Sequence, residues 1–213
     1  ILASVCDSTN VFSQKPGRSE SSIKNDLVAL IDSQRGVVVA TTFASNIARL
    51  VTLAECAHTS GRKVLVLGRA MNTMLAVARS TGILKGFPPT ITIEQASEVP
   101  RSELFILATG SQGERRAASA QLAKDKYMSI ALNQGDCFLF SSKTIPGNEI
   151  AVTEVINNFV ERGITVFDDK SERYHVSGHA NRPDLENIHQ ISKPKLIIPM
   201  HGELRHLLEH RYL

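Results

Sequence analysis

The sequence predicts an α/β fold, a largely parallel sheet flanked by helices. Short runs rich in β-branched residues and leucine alternate with segments whose apolar residues recur at helical spacing. Residues 37–42 and 63–67 are two such runs, and between them Ile47, Leu50, Val51 and Ala54 repeat on one helical face, the pattern of a βαβ unit with a right-handed crossover. Of the 213 residues, 42% are hydrophobic, enough to bury a sizeable core.

The elements follow in order. Residues 1–6 form an apolar run that ends in the polar turn Asp7-Ser8-Thr9-Asn10, which is how a buried strand delivers side chains to the edge of a site. The chain opens inside this strand with no preceding methionine or turn, which implies sequence upstream. Beyond the Lys15-Pro16-Gly17 turn, Ser19 or Ser21 caps a helix reaching residue 33, with Ile23, Leu27, Leu30 and Ile31 on one face. After the βαβ unit come a helix over 73–80, a strand over 104–108, a helix over 115–123 and a strand over 137–140. A helix over 150–160, a strand over 164–167, a helix over 185–191, a strand over 196–199 and a helix over 204–210 complete the series. The softest stretch is 85–100, which holds Pro88, Pro89 and Pro100.

Composition narrows the partners. The formal charge of +3, from 24 basic and 21 acidic residues, is too small for bulk electrostatic attraction to nucleic acid, so any such site is a local groove. No apolar run approaches the roughly 18 to 20 residues that span a bilayer, and a cytoplasmic protein with no membrane partner is the expectation. Cys6, Cys56 and Cys137 are scattered among apolar neighbours without a CxxC pair, so they read as reduced core thiols. Any metal is then held by histidine and carboxylate.

In parallel α/β sheets, ligands bind beyond the carboxyl ends of the strands. There the chain places seven loops: Asp7-Ser8-Thr9-Asn10, Thr42-Phe43-Ala44-Ser45-Asn46, Gly68-Arg69, Thr109-Gly110-Ser111-Gln112-Gly113-Glu114, residues 141–149, His175-Val176-Ser177-Gly178-His179 and Met200-His201-Gly202-Glu203. These loops collect hydroxyls, backbone amides and helix N-termini, the groups that bind phosphate. Taken singly, each is also ordinary strand-to-helix turn chemistry. Histidine is the sharper signal, since four of the seven, His175, His179, His201 and His206, fall in or just after the last two loops. His206 and His210, four apart on the terminal helix, have the spacing of a zinc pair but read as structural or exposed.

With DSTN, TTFASNIAR, LATGSQGE, SSKTIPGNE, HVSGHA and PMHGE in that order, the chain resembles ribonuclease J of the β-CASP branch of metallo-β-lactamase proteins along essentially its whole length. The resemblance implies a Rossmann-like β-CASP domain over 21–162, inserted between two pieces of a metallo-β-lactamase αββα domain, 1–20 and 163–213. It implies metal-dependent hydrolysis of RNA phosphodiester bonds, by exonucleolytic and endonucleolytic cutting, with two divalent ions in the full-length parent, zinc first and manganese as the alternative. Asp7 then matches the carboxylate that bridges the metals and His201 a late metal histidine. His179 matches the catalytic histidine, and Glu20 the acidic motif that orients it. The RNA clamp falls on Ser45 and Asn46 together with His175, Val176, Ser177, Gly178 and His179, while Ser141 and Ser142 add hydroxyls toward phosphate. Arg49 is a further candidate for backbone contact.

The implied partner is single-stranded RNA with a 5′-monophosphate, while the resemblance leaves a homo-oligomer of the full-length parent open. The early HxHxDH ligand motif has no counterpart in these residues. The chain alone is therefore expected neither to hold catalytic metal tightly nor to cut RNA. Two other classes stand beside this reading: a non-catalytic β-CASP RNA-binding or scaffold module, and a DNA-directed β-CASP nuclease.

Overall fold

The structure is a computed structural model that describes residues 1–168 and 173–213. The chain divides into two compact units, one made of residues 20–175 and one of residues 1–19 with 176–213.

The larger unit is built on an all-parallel sheet of six strands: β2 (Val38–Thr41), β3 (Lys63–Leu67), β4 (Thr90–Ile91), β5 (Leu104–Ala108), β6 (Cys137–Phe140) and β7 (Thr165–Phe167), in the spatial order β4-β3-β5-β2-β6-β7. Its three central strands read VVAT, LFILA and CFLF, and every residue in them is buried. Such unbroken apolar runs belong to strands covered on both faces. The covering helices are α1 (Lys24–Ser33), α2 (Ile47–Thr59), α3 (Arg69–Ser80), α4 (Ile93–Ala96), α5 (Ala118–Ala123) and α6 (Glu149–Glu161). In α2 the stripe Leu50, Leu53, Ala54 and Ala57 is buried, and the Asn46 side chain caps the first turn by accepting from the Arg49 amide.

The helix expected from residue 73 begins at Arg69, because Gly68 turns the chain sharply after β3 with φ at +105°. A Cβ there would lie 2.2 Å from Thr109 Oγ1, so only glycine fits. The soft stretch 85–100 contains β4 and α4, the latter fixed by a capping box between Thr92 and Gln95. The helix expected from residue 115 begins at Ala118, after a turn closed by the Ala117 amide on Glu114. β7, which the sequence reading gave to the returning piece from 163, pairs with β6 from Cys137↔Thr165 to Leu139↔Phe167 and so belongs to the six-stranded sheet.

The smaller unit pairs β1 (Ala3–Asp7) with β8 (Leu196–Met200) in a parallel ladder and carries α7 (Arg182–Ser192) and α8 (Leu204–Arg211). Asn181 and Asp184 cap α7 reciprocally, and the His206 ring accepts from the Glu203 amide at the start of α8. Val5, Leu196, Ile198 and Met200 lie on one face of the two-stranded sheet and are exposed.

One buried cation organises the end of the large sheet opposite its loops. Arg62 is 4% exposed and donates to the carbonyls of Gly36, Leu104, Ile31 and Gln34. It thereby satisfies carbonyls that the end of α1 leaves open. Arg62→Met should lower stability by about 3 kcal/mol, because four carbonyls lose a charged donor. A thermal melt should show the larger unit unfolding roughly 10 °C earlier. A loss below about 1 kcal/mol would mean that water replaces the guanidinium freely.

Candidate active site

The site in the smaller unit begins where β1 ends. The Ser8 amide continues the ladder by donating to Met200 O at 2.7 Å, and the chain then turns, with the Val11 amide donating to Ser8 O. In that turn Asp7 Oδ1 accepts from the Thr9 amide at 2.7 Å, as aspartate does when it mimics a backbone turn. Its second oxygen, Oδ2, lies 2.7 Å from His179 Nδ1.

His179 is brought there by Asn10. The Asn10 amide nitrogen donates to Ser177 Oγ at 3.1 Å, to the His179 carbonyl at 3.2 Å and to Asn181 Oδ1 at 3.0 Å. Two hydrogens serve three acceptors, so the bonds are shared, but all converge on the loop that carries His179. Ser177 Oγ also accepts from the His179 amide. Val176, Ser177 and Gly178 are thus parts of one loop, with Ser177 acting as its internal brace.

His201 stands one residue beyond Met200, the register partner of Asp7, and is exposed. Its φ of +53° is left-handed, which costs a non-glycine residue on the order of 1 kcal/mol. Gly202 makes the turn possible, since a Cβ there would lie 2.7 Å from His206 Cβ.

Electrostatics favour an ionised Asp7. Burial works against its charge, but the Thr9 amide and hydroxyl and the His179 ring outweigh that effect and hold the carboxyl below the usual aspartate range. With Nδ1 at the carboxylate, the His179 ring presents Nε2, and 48% of its side chain is exposed.

The larger unit holds a second group of expected residues. Arg49 is 1% exposed and donates through Nε and Nη2 to the two oxygens of Glu20 at 2.6 and 2.9 Å. Its Nη1 donates to the Ser141 carbonyl at 2.8 Å and to Ser141 Oγ at 3.1 Å, and that hydroxyl donates to the Tyr174 carbonyl at 2.6 Å. Three expectations change. The carboxylate at His179 is Asp7, whereas Glu20 grips Arg49. Arg49 is enclosed and fully engaged, so it is not a surface contact. Ser141 has already given its only hydroxyl hydrogen to Tyr174 and serves as a fixed anchor.

Ser142 is different. It is buried, and among the described residues its hydroxyl has no hydrogen-bond partner; the same holds for Thr42. These two follow neighbouring strands, since Thr41 pairs with Phe140. Buried hydroxyls left unsatisfied cost about 1–3 kcal/mol each, and such sites call for a partner. Ser45 is exposed beside them in sequence, Asn46 is committed through its oxygen to capping α2, and His175 is buried.

Sequence reasoning missed Asn10 as the organiser of the His179 loop and a buried contact among Ser8, His189 and His210. The Ser8 hydroxyl lies 2.8 Å from His210 Nδ1, and the Nε2 atoms of His210 and His189 are 3.0 Å apart. Burial holds both imidazoles below their ordinary pKa; for His210 the neighbouring His189 adds to this and Asp7 opposes it.

Comparison with known proteins places these geometries in a family. Residues 34–159 match the model described as Ribonuclease J, beta-CASP domain, and residues 170–213 match the model described as Zn-dependent metallo-hydrolase RNA specificity domain. A protein named Ribonuclease J from Sinorhizobium meliloti is 40% identical over 213 residues, covering 100% of this chain and 38% of the relative. Its namesakes from Thermus thermophilus and Synechocystis are each 36% identical, with 37% and 33% of their lengths covered. The chain therefore spans less than two fifths of the relatives it matches.

The lowered histidine pKa values set a pH dependence. A neutral folded imidazole that resists protonation adds nothing above about pH 6.5, where the unfolded ring is neutral too, and loses stability as pH falls below that value. Amide exchange in α7 and α8, corrected for intrinsic rates, should therefore lose protection between about pH 7 and about pH 5.5. Protection that is unchanged across that range would show that both rings protonate in place.

Proposed function

The chain belongs to the ribonuclease J family through its β-CASP domain, and from that premise we propose that its residues form the RNA-handling part of a ribonuclease that hydrolyses phosphodiester bonds. The observation that carries the proposal is the Asp7–His179 contact, 2.7 Å long, at the end of a ladder that also delivers His201.

The donor set is consistent with metal. The Thr9 amide, the Thr9 hydroxyl and the His179 ring use three of the roughly four lone-pair directions of the Asp7 carboxylate, so one remains for a cation. With the His201 imidazole this makes a carboxylate and nitrogen set suited to zinc or manganese. A zinc ion takes about four ligands. Among the described residues no group of three or more His, Cys, Asp or Glu side chains is arranged to hold one. In this proposal Asp7 and His201 are two donors of a centre whose other ligands come from outside the 213 residues. Bound divalent metal would supply electrophilic stabilisation of the scissile phosphate and a more acidic water. Asp7 meets His179 Nδ1 and so orients the ring, which makes Nε2 the atom that would hand a proton to the departing oxygen. The apolar face formed by Val5, Leu196, Ile198 and Met200 is the seat for the remainder of the catalytic domain.

Ser142 and Thr42 provide hydroxyl donors for the phosphate of an RNA end, with Ser141 fixing the loop through Arg49 and Glu20. Val176, Ser177 and Gly178 hold His179, and Ser45, Asn46 and His175 contribute to the strand contact. The thiols of Cys6, Cys56 and Cys137 are free, which fits a reducing, cytoplasmic setting. Burial pushes the Cys56 thiol up to about 11 and that of Cys137 up to about 12, so both are inert.

Fluorescence anisotropy with single-stranded RNA tests the phosphate reading. The chain should prefer a 5′-monophosphate to a 5′-hydroxyl end, and Ser142→Ala should reduce that preference about tenfold, the worth of one hydrogen bond to a charged group. Equal affinity for both ends would remove the phosphate assignment. In a longer ribonuclease carrying this chain, His179→Ala should slow cleavage by about 10²- to 10⁴-fold, and unchanged turnover would remove His179 from the mechanism.

A further inference from the structure

Three buried polar side chains in the smaller unit have no part in the proposed chemistry. Ser8 and His210 are 0% exposed and His189 is 9% exposed. Helices packed on a short sheet bury apolar side chains at less cost, so a linked serine and two histidines at this position need a reason.

Two proton orders can link these side chains, since in a neutral imidazole one nitrogen donates and the other accepts. If the Ser8 hydroxyl donates to His210 Nδ1, then His210 Nε2–H donates to His189 Nε2, and the hydrogen falls on His189 Nδ1, which is buried with no hydrogen-bond partner among the described residues. In the reverse order His189 Nε2–H donates to His210 Nε2 and His210 Nδ1–H donates to Ser8 Oγ, and it is the Ser8 hydroxyl hydrogen that has no acceptor among the described residues. In either order Ser8 Oγ is tied to His210 Nδ1.

The consequence lies one residue away. Successive residues at the end of a strand point to opposite faces, so the side chains of Ser8 and Asp7 diverge from one stretch of backbone. Ser8 is held at both ends, by its amide on Met200 O and by its hydroxyl on His210. With Ser8 pinned, the direction in which Asp7 leaves the strand is set, and with it the 2.7 Å contact to His179. We infer that His210, backed by His189 at its Nε2 atom, is a positioning residue that clamps Ser8 and so aims the Asp7 carboxylate at His179. Its meaning for catalysis rests on the proposed centre at Asp7 and His179, but its test does not require activity.

Long-range proton–nitrogen NMR spectra of the ¹⁵N-labelled chain report which nitrogen of each histidine carries hydrogen. Ser8→Ala and His210→Gln should each move the His179 Nδ1 resonance toward that of an imidazole without its carboxylate partner. His210→Asn, whose amide can reach the Nδ1 position, should restore the wild-type signal. The amide spectrum of residues 20–175 serves as the control for folding. A His179 resonance that stays put in folded Ser8→Ala would overturn the inference. Should the His210 variants fail to fold, Ser8→Ala, which deletes a single oxygen, decides alone. Failure of the catalytic reading is distinguishable: Asp7→Asn would then keep full activity in a longer ribonuclease carrying this chain, and the NMR result would stand.

Discussion

Asp7 can meet His179 only because β1 and β8 pair in one register. The ladder runs from Ala3↔Leu196 to Asp7↔Met200, and the Ser8 amide extends it by one more bond. Side chains in a strand alternate with a period of two, so a slip of one residue would turn Asp7 to the opposite face and Ser8 away from His210. The same ladder joins distant parts of the chain, and His201 follows directly on Met200, the register partner of Asp7. Asn10 completes the arrangement, because its amide holds the His179 loop through three acceptors at once.

In the larger unit, buried guanidinium groups do the corresponding work. Arg49 gives the Glu20 carboxylate a bidentate partner and pins Ser141 with its remaining donor. A buried charge is costly unless paired and fully bonded, and Arg49 meets both conditions. What it positions is the backbone on which Ser142 sits, its hydroxyl without a hydrogen-bond partner among the described residues. Arg62 solves a different problem with four carbonyls, ending α1 and joining it to the sheet. Rigid elements thus hold a few polar groups whose own needs are unmet, the usual condition of a binding surface.

Much of this was legible in the sequence because it is local. Unbroken apolar runs marked the central strands, and helical spacing marked α2 and α6. The positions of Asp7, His179 and His201 just past strands, and the resemblance of HVSGHA and PMHGE to a known family, marked the loops to inspect, and the structure joins Asp7 to His179. What escaped depends on pairing across the chain. Nothing near Thr165 declares that β7 joins β6, and nothing near Glu20 declares that its partner is Arg49. The Pro88, Pro89 and Pro100 cluster hid β4 and α4, although the Thr92-to-Gln95 spacing of a capping box was there to be read. His210 read as structural or exposed, and its partner Ser8, some two hundred residues earlier, could not be told from its spacing.

The most direct test of the whole picture is anomalous diffraction from a longer ribonuclease carrying this chain, crystallised with manganese. The expected result is a metal peak about 2.0–2.3 Å from both an Asp7 oxygen and a His201 nitrogen, with His179 still resting on Asp7. A metal held with Asp7 and His201 both turned away from it would contradict the account.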